Sequence, residues 1–92
     1  MGFTKENAVT RARIDLARRL KIDADDIDEK SISDKEFPDM SLGAPAAGEM
    51  SAQMIAYGWI IKLAAKGKTY EYRADKYQIR LHNFNGENYV VV

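Results

Sequence analysis

Apolar residues recur at helical spacing in the first quarter of the chain. Four of them follow one another at intervals of three, four and four residues: Val9, Ala12, Leu16 and Leu20. This spacing places them on one face of a helix. Thr4 is a suitable N-cap, and basic residues crowd the far end, where cations interact favourably with the helix dipole. The pattern predicts a helix from about residue 5 to about residue 20.

The C-terminal half shows the alternation typical of strands. Two β-rich runs, at residues 59–63 and 69–73, flank a Lys-Gly turn, which predicts a β-hairpin. Apolar and polar residues then alternate over residues 77–82, as in a half-buried strand. Residues 89–92 are a candidate last strand, or alternatively a tail. We therefore place hairpins over about residues 59–84.

A further strand is predicted earlier, over residues 27–37. Its only large apolar residues are Ile27, Ile32 and Phe37, so we expect a polar strand that lies at an edge of the sheet or has one face in water. One helix followed by an antiparallel meander of about four strands is a two-layer α+β domain, here a single domain over residues 1–92. The helix stripe should cover four apolar strand residues or their alternates: Ile61, Leu63, Ile79 and Leu81.

Residues 38–58 are the part of the chain that this fold does not explain. The segment holds both prolines, three of the six glycines and three of the four methionines. Long irregular loops of this kind are usually functional or mobile. A short helical turn over residues 49–56 would bring Met50 and Met54 to one face. The candidate binding residues are Pro38, Asp39, Ser41, Leu42, Gly43, Met50, Met54, Tyr57 and Trp59.

Two interpretations of this loop stay open. Its methionines and aromatic residues form either an exposed patch that binds a partner or a plug that folds over the open face of the sheet. An alternative function is that of a protease inhibitor, with residues 38–45 presented rigidly to a hydrolase. We expect a non-enzymatic interaction module that uses residues 38–58 to bind a protein or peptide.

The composition excludes several kinds of site and partner. The 92 residues suffice for one small domain, and the absence of cysteine excludes disulfides, thiolate zinc sites and a cysteine nucleophile. The net charge is zero and the pI is about 6.6, although a nucleic-acid-binding domain is usually strongly basic, so we expect no nucleic-acid partner. No apolar run is long enough to predict a membrane span.

Catalytic and metal chemistry find little support in the sequence. Asp39, Ser41 and His82, the only histidine, would be the triad of a small hydrolase, but Ser41 lacks the Gly-x-Ser-x-Gly context of a nucleophile elbow. Asp39 and Ser41 fit better as residues that cap a turn. The acidic residues 23–29 lack the glycine and glutamate of an EF-hand loop. We expect no catalytic residue, metal or cofactor.

Two motifs resemble a known family. Residues 37–45 read Phe-Pro-Asp-Met-Ser-Leu-Gly-Ala-Pro, and residues 70–75 read Tyr-Glu-Tyr-Arg-Ala-Asp. They are similar to a family of small uncharacterised prokaryotic domains, often exported or lipoproteins, with an Ala/Arg/Leu-rich first helix and an aromatic-Pro-Asp-x-Ser-Leu-Gly-Cys-Pro loop. Here Phe37 stands in place of tryptophan and Ala44 in place of cysteine. The resemblance implies the same fold and hints at export, but it supplies no activity.

Overall fold

The computed structural model describes residues 2–92 and contains one helix and five strands. The helix α1 is Lys5–Leu20, and a short 3-10 turn follows at Ala24–Asp26. The strands are β1 (Asp28–Phe37), β2 (Ala56–Ala65), β3 (Lys68–Ala74), β4 (Ile79–Phe84) and β5 (Glu87–Val90). All neighbours pair antiparallel in chain order. The α+β class is confirmed, but the meander has five strands where the sequence predicted about four.

The helix begins and ends as its sequence predicts. The Thr4 hydroxyl accepts the Asn7 backbone N–H at 3.2 Å, while the Asn7 side chain accepts the Thr4 N–H at 2.7 Å. This reciprocal pair satisfies donors that the first turn leaves open. At the other end, Lys21 adopts the left-handed conformation that terminates many helices.

One face of the sheet packs against α1. Val9, Ala12 and Leu16 are buried, and Leu20 is half-buried beside them. They meet the sheet residues Ile61, Leu63, Tyr72, Ala74, Ile79 and Leu81. Each large aliphatic side chain buried in this way contributes roughly 1.5–3 kcal/mol. The Tyr72 hydroxyl, inside this core, donates to the Asp15 carboxylate on α1 at 2.7 Å.

Tight turns connect the later strands. Lys66 and Gly67 both have positive φ angles, 52° and 78°, between the paired residues Ala65 and Lys68. Asn85 and Gly86 repeat this conformation at 53° and 87°. Two consecutive positive φ angles match the right-handed twist of a two-residue hairpin. The second turn returns the chain to form β5, so the last strand begins at Glu87, two residues before the predicted start at residue 89.

The strand β1 lies at an edge of the sheet, as predicted, and pairs only with β2. Its side chains are exposed apart from the half-buried Ile32 and the buried Phe37. A bulge interrupts its register between Glu29 and Ser31. Charges and bulges of this kind protect sheet edges against unspecific pairing.

The long segment forms a third, irregular layer on the other sheet face. Phe37, Leu42 and Ala56 are buried there in a small second core, flanked by Met40 and Ile60. The two-layer prediction was therefore incomplete. The loop also ends earlier than predicted, because β2 begins at Ala56 and not at residue 59.

The helical turn predicted over residues 49–56 is wrong. Residues 49–55 contain no helix, and Met50 is 96% exposed. Two methionines at a spacing of four cannot stabilise a short helix that has no surface to pack against. The segment has no regular structure, and the Met40 backbone N–H donates to the Ala52 carbonyl at 3.0 Å.

Candidate functional site

The loop divides into two parts with different surroundings. We call residues 38–49 the anchored limb and residues 50–55 the open limb. In the anchored limb, Ser41, Leu42 and Ala44 are buried. In the open limb, Met50, Met54 and Ile55 are exposed. The loop is thus both a plug and an exposed surface, which the sequence presented as alternatives.

Asp39 shapes the turn of the anchored limb. Its Oδ1 atom accepts the Ser41 backbone N–H at 2.9 Å, the Gly43 N–H at 3.4 Å and the Ser41 hydroxyl. Hydrogen bonds to a carboxylate favour its charged form. The hydroxyl of Ser41 is the largest cause that lowers the pKa of Asp39. Asp39 and Ser41 therefore cap this turn, as the sequence indicated.

Strand side chains hold the anchored limb by its backbone carbonyls. Arg73 donates to the Leu42 and Gly43 oxygens at 3.1 Å each, and Arg80 donates to the Ala44 oxygen at 3.2 Å. Two amide side chains complete the set: Gln78 donates to the Met40 oxygen, and Asn88 to the Pro45 oxygen. Since buried carbonyls are costly without a partner, these donors allow an irregular segment to lie on the sheet.

An ion pair closes the anchored limb. The two terminal nitrogens of Arg80 donate to the two carboxylate oxygens of Glu49, and the guanidinium is almost fully buried. Glu49 also accepts the Ala46 backbone N–H at 3.0 Å. Two-pronged arginine–carboxylate contacts are among the strongest hydrogen bonds in proteins. The hydrogen bonds from Arg80 lower the pKa of Glu49 to about 2.

The open limb borders an apolar groove of about 560 Å³. Met54, Ile55, Tyr57 and Tyr77 line it and are 55% to 72% exposed. Other lining residues are Phe3, Met40, Ala56, Trp59, Asp75 and Lys76. The Phe3 backbone N–H donates to the Lys76 carbonyl at 2.8 Å, so the residues before α1 form one wall. This groove is the largest concentration of exposed apolar side chains in residues 2–92 and the candidate binding site.

The structure separates the residues that the sequence proposed together. Met54, Tyr57 and Trp59 line the groove, whereas Met50 is exposed outside it. Ser41 and Leu42 are buried, Asp39 and Gly43 are half-buried, and Pro38 is exposed away from the groove. Sequence reasoning missed two groups of residues, the groove walls Phe3 and Tyr77 and the loop anchors Glu49, Arg73, Gln78 and Arg80. Alternation assigned Arg80 to a polar face but could not show that the loop covers it.

No hydrogen bond joins His82 to Asp39 or to Ser41 in the described residues. The Ser41 hydroxyl donates to Asp39 and is 1% exposed, so no substrate can approach it in this conformation. His82 lies instead beside Glu71, with 3.6 Å between its Nδ1 and the carboxylate, and burial together with the Arg73 charge lowers the pKa of His82. Within residues 2–92, no group of three potential metal-binding side chains is found. The helix described over residues 5–20 is not long and apolar enough to cross a membrane.

Comparison with known families gives a match over most of the chain. A family profile described as a domain of unknown function, DUF8738, matches residues 9–82. The chain belongs to the DUF8738 family. The matched range runs from α1 into β4, so it contains the whole loop and the ion pair between Glu49 and Arg80. Neither the curated proteins nor the solved structures contain a match. DUF8738 membership agrees with the resemblance to an uncharacterised family and assigns no activity.

Proposed function

We propose that this DUF8738 domain is a non-enzymatic interaction module that binds an apolar segment of a protein or peptide in the groove. One observation carries the proposal: four large apolar side chains lie together around one concavity and are more than half exposed. They are Met54, Ile55, Tyr57 and Tyr77. Exposed apolar clusters of this kind mark interaction sites, whereas a small domain gains stability by burying such residues.

Met40 of the anchored limb connects the groove to the second core. Met40 packs against the second core and also lines the groove, and its backbone N–H donates to Ala52 in the open limb. The groove wall is therefore tied to a segment that Arg73 and Arg80 hold on the sheet. A wall that is already ordered reduces the entropy lost on binding.

The side chains of the groove suit an apolar ligand of variable shape. Methionine adapts to irregular surfaces, and Tyr57, Trp59 and Tyr77 offer flat aromatic faces of the kind that dominate binding energy at interfaces. The Lys76 ammonium lies 5.4 Å from the Tyr77 ring centre at the rim. The Asp75 carboxylate is already occupied by the backbone N–H groups of Tyr77 and Gln78. We therefore expect the partner to carry an acidic residue beside its apolar ones.

The inhibitor alternative is less well supported. A standard inhibitor loop offers its main chain to the protease, but Ser41, Leu42 and Ala44 are buried. Their backbone carbonyls are engaged as well, since Arg73 donates to the Leu42 oxygen and Arg80 to the Ala44 oxygen. The segment is rigid, as that function would need, but it faces the sheet.

The resemblance of residues 37–45 and 70–75 also supports a prokaryotic, exported setting, which fractionation of cells that express the natural gene would test.

Selection from a phage-displayed random peptide library tests the proposed binding. The affinity of an enriched peptide is then measured by fluorescence anisotropy for the wild type, Met54→Ser and Met50→Ser. We expect Met54→Ser to weaken binding about tenfold, as loss of an interface anchor does. Met50→Ser is the matched control, because it removes an exposed methionine that does not line the groove. Equal affinities for all three proteins, or no enriched peptide, would count against the groove.

A further inference from the structure

The groove continues past Tyr57 and Trp59 towards the edge strand β1. A second concavity of about 470 Å³ lies there, and it shares both aromatic residues with the groove. Glu36 pairs with Tyr57 and Asp34 with Trp59 across β1 and β2, so these four side chains lie on one face of the sheet. The groove and the second concavity therefore form one surface, which runs from β1 over β2 to the turn after β3.

The two ends of this surface carry opposite charges. Glu36 at the β1 end and Lys76 at the other end form no ion pair within residues 2–92. Asp34 is already paired with Lys5 at 3.0 Å. Lys35 also borders the second concavity, but alternation along the strand directs its side chain to the opposite face. A partner that lies along the surface thus meets a carboxylate at one end and an ammonium group at the other.

The aromatic side chains between these ends offer hydrogen-bond donors. In the described residues, the Trp59 indole N–H and the Tyr57 and Tyr77 hydroxyls have no hydrogen-bond partner. The indole N–H is accessible, because within residues 2–92 only Arg13 Nε is both buried and without a partner. The acidic residue of the groove, Asp75, is 3% exposed and already accepts two backbone N–H groups. The side chains of the groove therefore suit a ligand that accepts more hydrogen bonds than it donates.

A proline-rich chain in the polyproline II conformation meets this requirement. Proline has no backbone N–H, and a polyproline II chain makes no internal hydrogen bonds, so its carbonyls are free to accept. Grooves lined by aromatic rings bind such chains, which are already extended and lose little entropy on binding. No two of the rings of Tyr57, Trp59 and Tyr77 stack on each other in the described residues, so their faces are open. A helix would pair its own N–H and C=O groups and leave the donors of the groove unused.

The spacing of the strands sets the length of the bound segment. Neighbouring strands lie about 4.8 Å apart, so roughly 12 Å separate β1 from the turn between β3 and β4 that carries Lys76. A polyproline II chain advances about 3.1 Å per residue, so about four residues span this distance. A segment with about four apolar residues between two opposite charges therefore matches the surface.

We propose that the groove binds a proline-rich segment in the polyproline II conformation, with an acidic residue near Lys76 and a basic residue near Glu36. This inference rests on the proposed function, since it names the class of partner for the same groove. The rings and donors receive the prolines and their carbonyls, and the two charges fix the direction of the chain on the surface. An amphipathic helix, another common occupant of apolar grooves, is the competing outcome of the test.

Synthetic peptides carrying fluorescein test the class of partner by fluorescence anisotropy. The probes are Asp-Pro-Pro-Leu-Pro-Arg and its reverse, each compared with a form that has alanine in place of every proline. We expect one of the two orders to bind at least about tenfold more tightly than its alanine form, because alanine restores backbone N–H groups and favours a helix. An alanine form that binds as tightly as the proline form would overturn the proposal in favour of a helical partner.

Charge exchange tests the β1 end of the surface. Glu36→Lys should weaken binding of the preferred peptide about fivefold, and a peptide with Glu in place of Arg should bind this variant more tightly than the wild type. Asp28→Lys is the matched control, because it makes the same charge change at an exposed residue of β1 outside the surface. Circular dichroism should show both variants folded. Equal effects of the two variants would overturn the charge contact assigned to Glu36.

The outcomes distinguish this inference from the proposed function. A library-selected peptide without proline whose binding is weakened by Met54→Ser would overturn the polyproline II class and leave the groove as the binding site. If neither selected nor proline-rich peptides bind, both proposals are overturned. Binding of the proline peptides that depends on both Met54 and Glu36 is the result that supports the inference.

Discussion

Arg80 on β4 holds both carboxylate oxygens of Glu49, a residue 31 positions earlier in the chain. The same guanidinium donates to the Ala44 carbonyl. One strand residue thereby fixes the end of the anchored limb and one of its backbone carbonyls. The irregular layer thus depends on a contact between two parts of the chain that are far apart in sequence.

Replacing Arg80 should therefore destabilise the domain. Arg80→Leu leaves the Glu49 carboxylate and the Ala44 carbonyl without their main donor, and we expect a loss of about 2–3 kcal/mol in the free energy of unfolding. Urea denaturation measures this value. Arg11→Leu on the exposed side of α1 is the matched control and should change stability by no more than about 0.5 kcal/mol. Equal effects of the two variants would show that the ion pair does not hold the loop.

The same ion pair should make stability sensitive to acid. The pKa of Glu49 is about 2 in the folded chain, and its ordinary value is 4.5. Glu49 therefore makes its full contribution to the free energy of unfolding above about pH 4.5. It is lost as the pH falls from there through about 2, because the unfolded chain takes up the proton first. The lowered pKa of Asp39 likewise makes the folded chain less stable as the pH falls.

The variant Glu49→Gln distinguishes the effect of Glu49 on acid stability from that of Asp39. This variant should be less stable than the wild type at neutral pH, and the difference should shrink as the pH falls from about 5 to about 2.5. The measurement is urea denaturation at several pH values. A difference that stays constant across this range would contradict the assigned pKa of Glu49.

Gly58 in β2 should be harder to replace than Gly67 in the following turn. A Cβ atom at position 58 would clash with the Ala74 backbone oxygen, which the paired strands β2 and β3 hold in place. We expect Gly58→Ala to cost about 2–3 kcal/mol or to prevent folding, since the backbone itself must move. Gly67→Ala meets no atom within 4 Å and carries only the strain of its positive φ, about 1 kcal/mol. Thermal unfolding of the two variants gives the comparison.

Local patterns predicted the regular elements well. The spacing of Val9, Ala12 and Leu16 sufficed for α1, and the Lys66-Gly67 turn sufficed for the first hairpin, because both depend on neighbours in sequence. For the last strand the sequence allowed either a strand or a tail, since β5 has four residues and follows the Asn-Gly turn directly. A strand this short gives little alternation to detect.

The loop was harder to predict because long-range contacts decide its course. Arg80 alternates with Ile79 and Leu81, which indicates a polar sheet face and equally an exposed one. Only the folded chain shows that Leu42 and Glu49 cover this face. The Met50 and Met54 pair looked like one site, yet only Met54 reaches the groove. The sequence thus singled out residues 38–58 as a candidate but could not divide them into the anchored and open limbs.

Chemical-shift mapping of the ¹⁵N-labelled protein with a selected peptide shows whether the peptide binds in the groove. The largest shifts should fall on the backbone amides of Met54, Ile55, Tyr57 and Tyr77 and on the Trp59 indole N–H. The amides of Ser41, Leu42 and Ala44, which are buried against the sheet, should shift little. Shifts concentrated on residues 38–45, with the groove unchanged, would contradict the proposed site and favour a binding role for the anchored limb.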